Sequence, residues 1–341
     1  MNKFQTLHSH TTNSDGQLSY IEILRVCEEN NIGVVAFTDH DSLIDEKSLE
    51  ELRDYKGDTK WISGIEISSG FPRELGGKAT SGLHIVGLFV DPTNEKLLNH
   101  CRLAKEARLE RMRKMVLNLR GLGFEITEKA CITVSGGEAV GRPHIVSALF
   151  SIEANKNILQ ELVSKMKKDS DKNPDIKEKY NTMLEQGEEQ YPYALFLSEN
   201  AHIPSIYVEY QYYLDMDSSV KIIRNAGGLA VLAHYFTCVK YLSGEMLGEM
   251  LKDSRLDGLE TVFGFSGLNT GTTMDKLIME TSDIAKKLVR KYGKIASGGV
   301  DAHKLQDFVG FSMSGQYPRS TVGMTEKILD IVHPDLSWSN L

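Results

Sequence analysis

The sequence is poor in cysteine, and its four thiols, Cys27, Cys101, Cys131 and Cys238, stand far apart with no C-x-x-C pair. Reduced core thiols are the plain reading, and no thiolate set competes for a metal. No stretch reaches the roughly 18 apolar residues needed to span a bilayer. The opening MNKFQTLHSHTTNSDG turns polar within a few residues and carries no apolar signal core. The expectation is a cytoplasmic protein without membrane contact or an evident stable protein partner. Positive charge is also short, with 39 Lys and Arg against 47 Asp and Glu, a net charge of -8. That balance argues against a general nucleic-acid coat protein. It leaves room for a phosphate substrate, because bound divalent cations can bring positive charge of their own. Internal repeats and low-complexity tracts are missing as well. What is there is a chain of 341 residues, 41% hydrophobic and 25% charged, enough for one large α/β domain or two smaller ones.

Short apolar runs alternate with helix-like segments through the first third. Phe4 to His8 reads as a strand. Ser19 and Glu22 form a capping box that opens a helix with Ile21, Leu24 and Cys27 on one face. Val34–Thr38, Trp61–Ile67 and Leu83–Val90 read as further strands, with a helix over Ile44–Tyr55. The rhythm then breaks. Asn94–Arg120 is one long helical stretch, and residues 151–190 are polar and rich in lysine and glutamate. From about Ser218 the rhythm returns: a helix to Asn225, strands over Leu229–Ala233, Leu256–Val262 and Ile295–Val300, and a helix near Asp283–Tyr292. This organisation is that of a βα sheet or barrel, residues 1–94 and 213–341, split by a mainly helical insertion over residues 95–212.

Histidines and carboxylates recur where strands end. His8 and His10 close the first strand, Asp39 and His40 the second, Glu66 lies near the end of the third, His234 closes LAVLAH, and Asp301 and His303 close IASGGVDAH. Strand ends of a βα barrel converge on one face, so residues remote in sequence can line one cavity. His84 is the exception, since it sits inside its strand. H-x-H on an extended segment points both rings to one side, so one metal can take both, and Asp301-x-His303 repeats the pattern with a carboxylate. Imidazole with carboxylate suits Zn, Mn or Fe.

These residues resemble the motifs of the PHP (polymerase and histidinol phosphatase) superfamily. Leu7-His-Ser-His-Thr11 with Ser14-Asp15-Gly16, Thr38-Asp-His-Asp41, Gly64-Ile-Glu66, Leu83-His-Ile-Val-Gly87, Ala230-Val-Leu-Ala-His234 and Gly299-Val-Asp-Ala-His303 follow the order of that family. The resemblance implies a distorted (β/α)7 PHP-type barrel with up to three divalent metal ions (Mn, Fe or Zn). It assigns His8, His10, Glu66 and Asp301 to the first ion, and Glu66, His84 and His234 to the second. Asp15, His40 and His303 go to the third. Asp39 would orient an imidazole rather than bind metal itself.

The sequence is similar to the PHP branch whose inserted helical domain carries a G-R-P-H segment, here Gly141-Arg-Pro-His144. That branch includes 3′,5′-nucleoside bisphosphate phosphatases and 5′-to-3′ exonucleases acting on short RNA. The resemblance implies metal-assisted hydrolysis of a nucleotide phosphate ester, with Glu66, Arg142 and His144 in catalysis and Arg142 and His144 holding substrate. Arg142 offers a planar fork for a phosphate. A Pro-started helix with a surface Arg and His is the plain alternative for that segment. For the whole chain, the alternatives are histidinol phosphate phosphatase and a PHP module that binds metal without catalysis. Tyr235 stands where the family usually has proline. The basic residues of the 94–120 helix, from Arg102 to Arg120, read either as a solvated face or as a surface that steers phosphate.

Overall fold

The computed structural model describes residues 3–77, 79–135, 140–263, 273–313 and 316–341. It divides into two compact units, Met1–Ala104 with Tyr213–Leu341, and Lys105–Tyr212.

The first unit opens with β1 (Phe4–Thr6), α1 (Tyr20–Glu29), β2 (Ile32–Phe37), α2 (Glu46–Asp54), β3 (Lys60–Gly70) and β4 (Ala79–Leu88). The capping box at Ser19 is formed: its hydroxyl accepts from the Glu22 N–H and the Glu22 carboxylate accepts from the Ser19 N–H. The buried stripe of α1 is Tyr20, Ile23, Leu24 and Cys27. It is turned from the expected face, with Ile21 only partly buried against the core. The long helix α3 (Glu95–Gly121) follows, and the division between units falls within it. In the second unit come α4 (Glu128–Val134), α5 (Arg142–Phe150), α6 (Ala154–Ser170) and α7 (Pro174–Gln186). The lysine- and glutamate-rich stretch is therefore mostly α6 and α7. Of its apolar residues, Met166 and Met183 are buried in a core shared with Met112, Leu119, Phe124, Leu149 and Phe196, and Ile158, Leu159, Leu162, Val163 and Ile176 pack against it.

The chain re-enters the first unit through β5 (Leu214–Asp215), α8 (Met216–Asn225), β6 (Leu229–Leu232), α9 (Gly244–Lys252) and β7 (Gly258–Val262). Then come α10 (Thr273–Tyr292), β8 (Ile295–Gly298), α11 (Leu305–Met313), α12 (Gln316–Arg319) and α13 (Met324–Ile331). The strand order is β1-β2-β3-β4-β6-β7-β8, with β5 beside β3. Neighbours are parallel except β4, which runs antiparallel to both β3 and β6. Side chains alternate between two cores. On β4, Val86 and Leu88 enter one and Ile85 the other, and on β6 Val231 and Ala233 are opposed to Ala230 and Leu232. Burial on both faces is why these strands read as unbroken apolar runs.

The ladders leave this mixed α/β sheet open, with β1 and β8 at its ends, so they do not draw the closed barrel that was expected. The reason is length: β1 has three residues and β8 four. The segments beyond them nevertheless meet. Leu7 N–H donates to the Gly298 carbonyl at 3.0 Å, His10 N–H to the Ala302 carbonyl at 2.8 Å, and Ser9 bridges Ala302.

No helix among the described residues is long and apolar enough to cross a membrane. Close backbone approach between β7 and β8 depends on Gly258, where an added Cβ would overlap the Ile295 carbonyl oxygen. Gly258→Ala is expected to lower unfolding free energy by about 1–3 kcal/mol, as overpacking does. Urea titration of both proteins measures it, and an unchanged midpoint would refute this account of the β7–β8 contact.

Candidate metal centre

The first unit gathers eight of the proposed donors around Glu66, which is fully buried on β3. Backbone pairing fixes this carboxylate: the Glu66 N–H donates to the Asp39 carbonyl and its carbonyl accepts from Asp41 N–H. Its Oε1 lies 2.8 Å from His84 Nδ1 and 2.9 Å from His234 Nε2. Its Oε2 lies 2.9 Å from His40 Nδ1 and 3.3 Å from Nε2 of both His8 and His10. Asp301 Oδ1 closes the group, 3.0 Å from His10 Nε2 and 3.3 Å from His8 Nε2. Asp15 stands beyond, with Oδ1 at 3.3 Å from His303 Nε2 and Oδ2 at 3.8 Å from His40 Nε2.

Donor atoms within 4.8 Å of one another form three groups: His8, His10, Glu66 and Asp301; His10, Asp15, His40 and His303; and His40, Glu66 and His84. The first group is the set that the resemblance assigns to one ion. The other two differ from it. His10 joins Asp15, His40 and His303, and His40 rather than His234 groups with Glu66 and His84, although His234 also touches Glu66.

The position of His84 inside its strand now has a physical reason. Because β4 runs against its neighbours, its early residues lie beside the late residues of β3 and β6: His84 pairs with Ser68, and its carbonyl accepts from Ala233 N–H. The backbone around the site is strained at three positions, with positive φ at Asp41 (46°), His234 (26°) and Asp301 (52°). Such conformations persist where surrounding contacts over-determine them, commonly at functional sites.

Electrostatics follow from burial and mutual proximity. Burial raises the Glu66 carboxyl, but the His40, His84 and His8 imidazoles outweigh it and hold its pKa well below the ordinary value. At His84 burial wins and the imidazole pKa is lowered despite Glu66. Burial also opposes charge on His303, yet Asp15 and Asp301 push its pKa up to about 10. Glu66 Oε2, Asp15 Oδ1 and His40 Nδ1 are buried without a hydrogen bond among the described residues. Glu66 Oε2 and His40 Nδ1 even face each other at 2.9 Å without hydrogen-bond geometry. Buried polar atoms left so are costly, and a shared divalent cation satisfies them. The donors are oxygen and imidazole nitrogen, so the residues fit such an ion.

Around the donors the structure refines one expectation and adds further residues. Among the described residues, Asp39 contacts no imidazole itself: it accepts from Thr11 N–H, Thr11 Oγ1, Ser14 Oγ and Tyr20 OH at 2.6–3.1 Å. It thereby fixes the Thr11–Ser14 turn, from which Ser14 Oγ lies 3.5 Å from His10 Nδ1. Asp41 lies outside the expected set; its Oδ1 accepts from Ser68 N–H and lies 3.0 Å from Nε2 of buried His100. So does Glu260, buried on β7 against His8. An acid between Leu259 and Val262 in a buried strand was the available signal. Tyr235, in place of proline, is buried and donates to the Leu242 carbonyl.

In the second unit, Gly141 caps α5 and Pro143 lies in its first turn. His144 is buried, and its Nδ1 accepts from the Gly141 N–H at 2.8 Å, so this imidazole serves the helix start. Arg142 donates to the Leu197 carbonyl and lies over the Tyr193 ring. Arg111 donates to the Val208 carbonyl and covers Tyr207, while Arg108 lies over Tyr210. Burial together with Arg142 and Arg108 lowers the Arg111 pKa to about 10. Farther along α3, Arg113 and Lys114 form ordinary exposed pairs, with Glu128 and Glu110.

No family model matches the chain. A 3′,5′-nucleoside bisphosphate phosphatase from Chromobacterium violaceum is 25% identical over 302 residues, 87% of this chain and 86% of that protein. A 5′-3′ exoribonuclease from Haemophilus influenzae is 26% identical over 76% of this chain and 79% of its own length. Among solved structures, a protein from Bifidobacterium adolescentis described as a metal-dependent phosphoesterase superposes with a TM-score of 0.61 at 20% identity, covering 89% of this chain and 88% of its own. Similarity along most of the chain, a shared α/β fold and a buried set of oxygen and imidazole donors converge: the chain resembles the PHP metal-dependent phosphoesterases, and it is a hydrolase.

Proposed function

We propose that this hydrolase cleaves a phosphate ester of a nucleotide, a 3′,5′-nucleoside bisphosphate or a short 5′-phosphorylated RNA. The observation that carries the reading is the pairing of two sets of residues in one chain. One is the buried donor cluster on Glu66, and the other is the arginine group Arg108, Arg111 and Arg142. Guanidiniums held against carbonyls and tyrosine rings while mutually repelling are prepared for an anion.

Two or three Mn, Fe or Zn ions would be held by His8, His10, Asp15, His40, Glu66, His84, His234, Asp301 and His303. Such ions polarise a phosphoryl oxygen and make water nucleophilic at neutral pH. Glu66 is shared by the group with His8, His10 and Asp301 and the group with His40 and His84, and its role is to keep the imidazoles in register while remaining ionised. Arg142 contacts phosphate oxygens and offsets their charge, with Arg111 beside it. His144 accepts from the Gly141 N–H through Nδ1, so its Nε2–H would be the donor that serves substrate and catalysis beside Arg142. The helical unit, expected over residues 95–212, is the substrate-binding insertion. The hydrogen bonds joining Leu7 to Gly298 and His10 to Ala302 support reading the sheet as a distorted (β/α)7 barrel. The four free thiols support a cytoplasmic setting.

Elemental analysis of protein purified without chelator is expected to find two or three transition-metal ions per chain. No metal, with no phosphate release restored by Mn, Fe or Zn, would overturn the reaction class. His10→Ala and Asp301→Ala are each expected to abolish turnover while leaving the far-UV circular dichroism unchanged. Near wild-type rates in either variant would remove that residue from the ligand set.

Substrate choice has its own test. In a substrate with two phosphates, binding energy from the second phosphate would orient the reacting one. The kcat/KM for a nucleoside 3′,5′-bisphosphate should exceed that for the 3′- and 5′-monophosphates. Arg142→Ala should lower it by about 2–4 kcal/mol without loss of metal. Equal kcat/KM across the three nucleotides, or a preference for histidinol phosphate, would refute the substrate class.

A further inference from the structure

Glu260 is an acid in a strand that is otherwise built for packing. It is buried on β7, next to Leu259 and close to Val262 and Phe263. A carboxylate in such surroundings is costly unless its oxygens find donors, and an apolar residue would fill the space without that cost. Both oxygens are used, and both contacts go to segments that carry candidate ligands. Oε1 lies 2.7 Å from His8 Nδ1. Oε2 accepts the backbone N–H of His234, also at 2.7 Å.

The first contact fixes one proton of His8. A carboxylate accepts hydrogen bonds, so Nδ1 is the donor, which in the neutral ring leaves the lone pair on Nε2. Nε2 is the atom that approaches His10 Nε2 at 3.2 Å and both Glu66 Oε2 and Asp301 Oδ1 at 3.3 Å. The second contact holds a residue whose backbone is strained, since His234 has φ of 26°. That strain aims the His234 ring at Glu66 Oε1, 2.9 Å from Nε2. One side chain on β7 thus fixes a ring from beyond β1 and a backbone from beyond β6.

We propose that Glu260 is a positioning residue of the metal centre: it selects the His8 tautomer that presents Nε2 and locks the strained His234 backbone. The proposal rests on the metal reading above. Glutamine cannot replace it, because a carboxamide at this position offers one acceptor oxygen to two N–H donors. Its NH2 group would face either the His234 N–H or the His8 ring. In the latter case the imidazole must turn Nδ1 into an acceptor and move its proton to Nε2, away from metal-binding use. Groups that orient a ligating imidazole cost roughly 10–100-fold in metal affinity when replaced.

The test uses the full chain with Zn²⁺ or Mn²⁺ in competition with a chelator, and ¹⁵N imidazole spectra of the Zn²⁺-loaded protein. The His8 signals are assigned by their loss in His8→Asn. Ser282→Ala is the control, because Ser282 Oγ donates to the Thr261 carbonyl and its loss damages the same strand without touching a ligand. Wild type should show His8 protonated on Nδ1. Glu260→Gln should lose that signature and bind metal about 10–100-fold more weakly at a similar melting temperature, with Ser282→Ala binding as wild type does. Undiminished affinity in Glu260→Gln, or equal loss in Ser282→Ala, would overturn this proposal alone. If Glu260→Gln does not fold, the wild-type spectrum decides, and a proton on His8 Nε2 refutes the assignment. Wild type that binds neither ion would overturn the metal reading first, and this proposal with it.

Discussion

The buried carboxylate of Glu66 is the contact on which the centre depends. Five imidazoles approach its two oxygens within 3.3 Å, from chain segments as distant as His8 and His234. A lone carboxylate in such a place would be neutralised by burial, but here the surrounding rings hold its pKa well below normal. The same crowding leaves buried polar atoms of Glu66, Asp15 and His40 unsatisfied by the described residues. A fold that tolerates this arrangement has stability to spare elsewhere, and the two apolar cores on either face of the sheet supply it.

Support for the donors is spread over the sheet. Asp39 holds the turn beneath His10, Asp41 ties the His40 loop to β3 and to His100, and Glu260 faces His8. Each acid is matched to N–H or O–H groups, so the ring of ligands sits inside a second layer of satisfied carboxylates. Positive φ at Asp41, His234 and Asp301 shows where the chain bends out of strand geometry to aim these side chains.

The second unit handles charge differently. Its exposed cations pair with neighbouring acids, as Arg113 does with Glu128, and such pairs contribute little. Arg108, Arg111 and Arg142 lie against tyrosine rings, Arg111 and Arg142 also donate to backbone carbonyls, and burial with the neighbouring guanidiniums lowers the Arg111 pKa.

Much of this was legible in the sequence because the signals are local. Alternation of side chains makes His8-x-His10 and Asp301-x-His303 point together wherever the strands go, and Ser19 with Glu22 caps its own helix. The apolar runs likewise declared strands buried on both faces. What tertiary structure alone decided is non-local register. The reversed direction of β4 carries His84 to Glu66, strand order sets Glu260 beside His8, and three arginines from α3 and α5 meet. Asp39 shows the same limit, since the family resemblance implied an imidazole for it and the fold gives its oxygens Thr11, Ser14 and Tyr20 as direct partners. A residue's type and spacing fix the chemistry it can offer. The partner that receives it is fixed only when strands separated by many residues choose their direction and alignment, because that choice is made by the burial of whole faces rather than by any one motif.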